Sequence, residues 1–127
     1  MKTLQTVTAV IEAGAGLALL GLPSVTALLL LGAPLESPVA VGLARIASAA
    51  ILALAVVCWL ARRDAQSLAS RGLVVAMLFY NLAVAAVLAF AGIVDGLHGM
   101  LLWPAVVFHA GMGAWCAASL QREGSRQ

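Results

Sequence analysis

The run TVTAVIEAGAGLALLGLPSVTALLLL, residues 6–31, is apolar almost throughout and carries one carboxylate, Glu12. A hydrocarbon core about 30 Å thick needs about 20 apolar residues of helix at about 1.5 Å each. This run exceeds that length and reads as a membrane-crossing helix. Pro23 within it predicts a kink, because proline lacks an N–H and crowds the preceding turn. Glu12 is the anomaly. A charge at mid-bilayer costs about 2.5–3.5 kcal/mol on insertion scales, so its side chain is expected to face protein and to find a partner.

The rest of the chain agrees with a lipid setting. Of its 127 residues 64% are hydrophobic and 9% charged, with a mean hydropathy of +1.09. A soluble domain carries about 25% charged residues to keep its surface wet. Extending the first segment to residues 4–31, three further apolar segments cover 39–61, 72–92 and 97–120. Polar breaks separate them: GAPLESP at 32–38, RRDAQSLASR at 62–71 and GIVDGLHG at 92–99. Helices are expected because backbone in lipid must satisfy its own hydrogen bonds. The short alternating blocks of a β-barrel are missing. The expectation is an all-α four-transmembrane-helix bundle, one domain over residues 1–127. A signal-peptide reading of the first segment fails on its length and its glutamate.

Charge sets an expected orientation. Lys2, Arg62, Arg63, Arg71, Arg122 and Arg126 fall on one side if four helices alternate, and the other side has Glu36 and Asp95. The positive-inside rule then predicts an inner-membrane protein with both termini and the 62–71 connection in the cytoplasm. Trp59 and Trp115 near one interface and Trp103 near the other read as an aromatic belt. The net charge of +2 is accounted for by the basic flank, which can also meet anionic lipid heads, so no nucleic-acid partner is expected.

Arg45, Asn81 and His109 join Glu12 inside the apolar segments, and Tyr80 also lies mid-segment. The rise per residue puts Glu12, Asn81 and His109 near one depth, with Arg45 about 7–8 Å nearer the outer side. His109 shares a face with Ala105, Gly113 and Ala117; Glu12 with Ala9, Ala13 and Gly16; Arg45 with Gly42, Ala49 and Ala53. Small residues at such spacing let helices approach closely. The expectation is that Glu12 meets Arg45, Asn81 or His109 in the interior, with Tyr80 adding a hydrogen bond.

Other chemistry is poorly provided for. His98 and His109 lie about 16 Å apart along one helix and cannot share an ion. Haem ligation would need a histidine from a second copy. Cys58 and Cys116 lie near the cytoplasmic ends of their segments, without a CxxC, and read as small buried hydrophobes. Met77, Met100 and Met112 read as packing residues. No phosphate loop, nucleophile elbow or zinc-protease motif is present. The chain is therefore expected to be neither an enzyme nor a cofactor carrier.

Two functions fit. In the first, a homo-oligomer moves a proton, an ion or a small polar solute through the Glu12, Arg45, Tyr80, Asn81 and His109 cluster. Four helices enclose too little for a wide path alone, hence the oligomer. In the second, the chain is an accessory subunit of a larger membrane complex, and the cluster sets helix order.

Overall fold

The computed structural model describes residues 1–64 and 67–124, in five helices. They are α1 (Lys2–Gly21), α2 (Pro23–Leu31), α3 (Pro38–Ala61), α4 (Leu68–Ile93) and α5 (Leu102–Gly124). Arg126, expected on the basic flank, lies outside the described residues.

The expected four-transmembrane-helix bundle is corrected on two counts. First, the opening segment is two helices. Leu22 leaves helical geometry at φ −131°, ψ 57°, and Pro23 starts a new helix at its first position, where a missing N–H costs nothing. What reads as a kink is a break. Second, three helices, α1, α3 and α4, are long and apolar enough to cross a membrane. α5 has 23 residues but falls short in apolarity. Trp103, Pro104, His109, Gly111, Gly113 and Trp115 dilute it.

Local chemistry also moves the ends. Ser37 accepts from the Ala40 N–H at 3.0 Å, ahead of Pro38, to start α3. Ser67 accepts from the Ser70 N–H at 3.1 Å, so LASR (68–71), expected in the connection, is the first turn of α4. The 97–101 stretch, expected in the last helix, precedes α5. Pro104 is accommodated there in the first turn, where backbone N–H groups lack partners within the helix.

The long helices form two antiparallel pairs: α1 lies along α3, and α4 along α5. Gly16 marks a close approach in the first pair, since a Cβ there would lie 2.7 Å from Leu52 Cγ. Gly113 faces Leu82 in the second. The two pairs touch mainly at their ends. At one end Leu4 and Ala9 of α1, Cys58 of α3, Val74 and Met77 of α4 and Cys116 of α5 make a common core. At the other, the Leu101 N–H donates to the Leu29 carbonyl at 2.8 Å. There Gly99 lies directly on the Leu30 backbone, leaving no room for a Cβ, and Gly32 closes α2 at φ +85°.

The outward faces carry large apolar side chains, among them Ile46, Phe79 and Val87, each at least 67% exposed. A contiguous apolar exterior of this kind suits lipid. The molecule is a small helical protein of multi-pass membrane character. Lys2, Arg62, Arg63 and Arg71 gather at the end held by the common core, while Glu36 and Asp95 mark the opposite end. The Arg62 guanidinium stacks 3.4 Å from the centroid of the Trp59 ring.

Gly99→Ala should force the far ends of the pairs apart. The expected loss is about 1–3 kcal/mol, the usual scale for overpacking, read as a lower midpoint of thermal unfolding in detergent.

Candidate functional site

Between the two helix pairs lies a cavity of about 760 Å³. Ala15 and Leu19 of α1, Ile51 and Leu54 of α3 and Leu88 of α4 give it apolar walls. α2 contributes Leu30 and the polar Thr26 on the side of the far end. Three ionisable side chains interrupt the apolar surface, and they converge: Glu12, Tyr80 and His109. The pairing of the helices explains the space. Small residues (Ala15, Ala47, Ala50, Ala105) face it from three helices where larger ones would fill it.

Glu12 is 4% exposed. Its Oε2 accepts a hydrogen bond from the Tyr80 hydroxyl at 3.2 Å, which joins α1 to α4. The Tyr80 ring meets the His109 imidazole edge-on, at 5.9 Å between centroids and 80° between planes. Phe108 flanks the same imidazole at 5.4 Å.

Asn81 is buried one residue beyond Tyr80 and stands behind the cavity. Its Nδ2 donates to the Met77 carbonyl at 2.8 Å, and its Oδ1 is 2.9 Å from His109 Nδ1. A carbonyl only accepts, so the Met77 contact orients the amide. The amide oxygen also only accepts, so His109 Nδ1 must carry the proton. In the neutral imidazole Nε2 is then the acceptor, the nitrogen left for a proton or a guest.

The expected site residues are thus placed unequally. Glu12, Tyr80, Asn81 and His109 come together through these contacts. Arg45 does not join them: its side chain is exposed, and Glu12 takes its hydrogen bond from Tyr80. Gly42, Ala49 and Ala53, which share its face, are exposed as well, so this small-residue stripe looks away from the chain's own interior. Cys58 and Cys116 are free and buried in the common core, where the Cys58 thiol contacts Met77 Sδ at 3.4 Å. His98 is exposed in the connection before α5. No group of three or more His, Cys, Asp or Glu suited to a metal ion occurs among the described residues.

Further buried polar residues carry no charge and are less conspicuous in the sequence. Gln5, Thr8 and Ser70 are at most 2% exposed, and Gln5 Nε2 donates to Ser70 Oγ at 2.5 Å. Their signal was present: Gln5, Thr8 and Glu12 are spaced by three and four, one helix face. Comparison with protein-family models, curated proteins and solved structures yields no match to this chain.

Asn81→Leu should strand His109 Nδ1 and remove the contact with the Met77 carbonyl. The expected cost is about 1–3 kcal/mol per buried group left unsatisfied, read by chemical denaturation in detergent. In the same variant the His109 ring should lose its single tautomer, visible in the nitrogen-15 shifts of the imidazole.

Proposed function

We propose that this membrane protein binds a small amphipathic solute in the cavity between its helix pairs and carries it, or a proton exchanged for it, across the bilayer. The observation behind this reading is the convergence of one carboxylate, one phenol and one imidazole on the wall of an otherwise apolar cavity. An apolar chamber with a few convergent polar groups is the usual form of a small-molecule site. The apolar walls take the body of the guest, and the polar pole takes a head group that donates hydrogen bonds, foremost a protonated amine. The Tyr80 and Phe108 rings favour a cation as well, through their π faces. Binding and proton exchange suffice for this role, and no covalent step belongs to it.

In the same proposal the basic end, with Arg62, Arg63 and Arg71, faces the cytoplasm of a bacterial-type inner membrane. His109 Nε2 and the Glu12 carboxylate are the groups that exchange protons as the solute enters and leaves.

Arg45 favours a second reading alongside the first. An arginine exposed on an apolar helix is satisfied by a lipid head group that its long side chain reaches, or by a carboxylate of another chain. The latter would make this face a contact between copies, or with a larger complex.

Two measurements test these readings. Glu12→Gln should weaken binding of amphipathic amines by about 10- to 100-fold, the worth of a hydrogen bond to a charged group. Tyr80→Phe should weaken it less. Affinity in Glu12→Gln equal to wild type, by calorimetry on the detergent-solubilised protein, would remove the proposed site. For the second reading, Arg45→Gln should shift the protein to a smaller species in light scattering; an unchanged mass leaves Arg45 to the lipid.

A further inference from the structure

We infer that a buried polar path runs along α1 from the basic end to Glu12, with Gln5 and Thr8 as its steps, and that it supplies Glu12 with protons through bound water. The inference deepens the reading of Glu12 as a proton-exchanging group in the cavity and rests on it.

Gln5, Thr8 and Glu12 lie on one face of α1, separated by about 4.5 and 6 Å of helix rise. Their exposures are 0%, 2% and 4%. Two of their atoms, Gln5 Oε1 and Thr8 Oγ1, are buried with no hydrogen-bond partner among the described residues. A buried polar atom left unsatisfied costs about 1–3 kcal/mol, so such atoms are rare in proteins unless water or a ligand serves them. Here two occur in sequence, on the face that leads to the buried carboxylate.

Thr8 differs from Thr6 and Thr26, two other threonines of the helical segments. Thr6 donates to the Lys2 carbonyl at 3.0 Å, and Thr26 to the Leu22 carbonyl at 2.9 Å. Each hydroxyl satisfies itself on its own helix. Thr8, the most buried of these three, makes no such bond. Its hydroxyl remains able both to accept and to donate, which a proton relay requires. A water between Gln5 Oε1 and Thr8 Oγ1, and another between Thr8 and Glu12, would each have the two or more polar partners that hold buried water.

The entrance is also polar. Gln5 is tied to Ser70, in the first turn of α4. Its neighbour Arg71 is half-buried, and Lys2 is exposed one turn before Gln5. Protons arriving at this end pass from water to Thr8 and then to the Glu12 carboxylate. On release one returns to water by the same route or leaves with the cavity contents. The titratable groups facing Glu12 are Tyr80 from α4, His109 from α5 across the cavity, and Cys58 from α3 within electrostatic reach.

The test follows the carboxyl C=O band of Glu12 by time-resolved infrared spectroscopy after a rapid pH step. The band is assigned by its loss in Glu12→Gln. Thr8→Val keeps the shape and removes the hydroxyl. It should slow protonation of Glu12 by about tenfold, the scale of one lost hydrogen bond in the path, and leave the midpoint of the titration in place. Thr8→Ser should keep the wild-type rate. Gln5→Met should slow the same step and guards against a misfolded Thr8 variant; both are checked by thermal melting. Equal rates in wild type and the folded variants would overturn the path while leaving solute binding at Glu12 standing. A Glu12 band that ignores pH would overturn the proton-exchange reading itself, and the path with it.

Discussion

The hydrogen bond from Tyr80 to Glu12 crosses between the two helix pairs where they otherwise stand apart. Much of the arrangement can be understood as what a buried carboxylate requires. In hydrocarbon it needs a donor, or it gives up its charge. The phenol supplies the donor from α4. The phenol in turn needs its ring held, and His109 meets it edge-on from α5. The imidazole needs a fixed tautomer, and Asn81 provides it through an amide oriented by the Met77 carbonyl. Each polar group is thus accounted for by the next, and the chain of dependence runs from α1 through α4 to α5.

The cavity follows from the same geometry. α1 and α3 close on each other over Gly16, and α4 and α5 over Gly113. Close packing within each pair uses up the small-residue faces that point toward the partner. Between pairs, the alanines of α1 and α3 stand back from the side chains of α4 and α5 and leave space. The core around Cys58, Val74 and Met77 clamps one end, and the Gly99–Leu30 backbone contact clamps the other. A chamber held at both ends and loose at its waist has room for a guest without parting of the helices. Movement of the guest would then call for release of one clamp. The far clamp is a single loop against a helix end, and the near one is an apolar core drawn from four helices.

Parts of this were legible in the sequence. Lipid character follows from composition alone. The shared depth of Glu12, Asn81 and His109 follows from a constant rise per residue, since an ionisable or amide side chain is conspicuous in an apolar run. Rotation about the helix axis was less legible. In a soluble protein a polar face marks the outside, but in lipid both faces are apolar, and small-residue stripes appear on contact and lipid faces alike. The stripe at Gly16 meets Leu52; the stripe at Gly42 meets nothing, and Arg45 on it points outward. The length of α5 suggests a fourth span, but its apolarity falls short of one. In the sequence Pro23 suits a kink as well as a break, and only the backbone geometry at Leu22 distinguishes the two.

Gln5, Thr8 and Ser70 are inconspicuous in the sequence for a related reason. Uncharged polar residues near helix ends look like interface residues, which water or head groups satisfy. Their burial becomes visible only once α4 is seen to begin at Leu68 and to place Ser70 against Gln5. That contact lines the entrance with a hydrogen bond rather than with apolar side chains. An apolar seal would have isolated Glu12 more cheaply, because nothing polar would need burying. A chain that instead buries an amide and a hydroxyl with open valences beside a carboxylate has retained a costly feature on one helix face. The cost is hard to explain by helix order alone, since Gln5 and Ser70 already pair, and Thr8 adds no bond between helices.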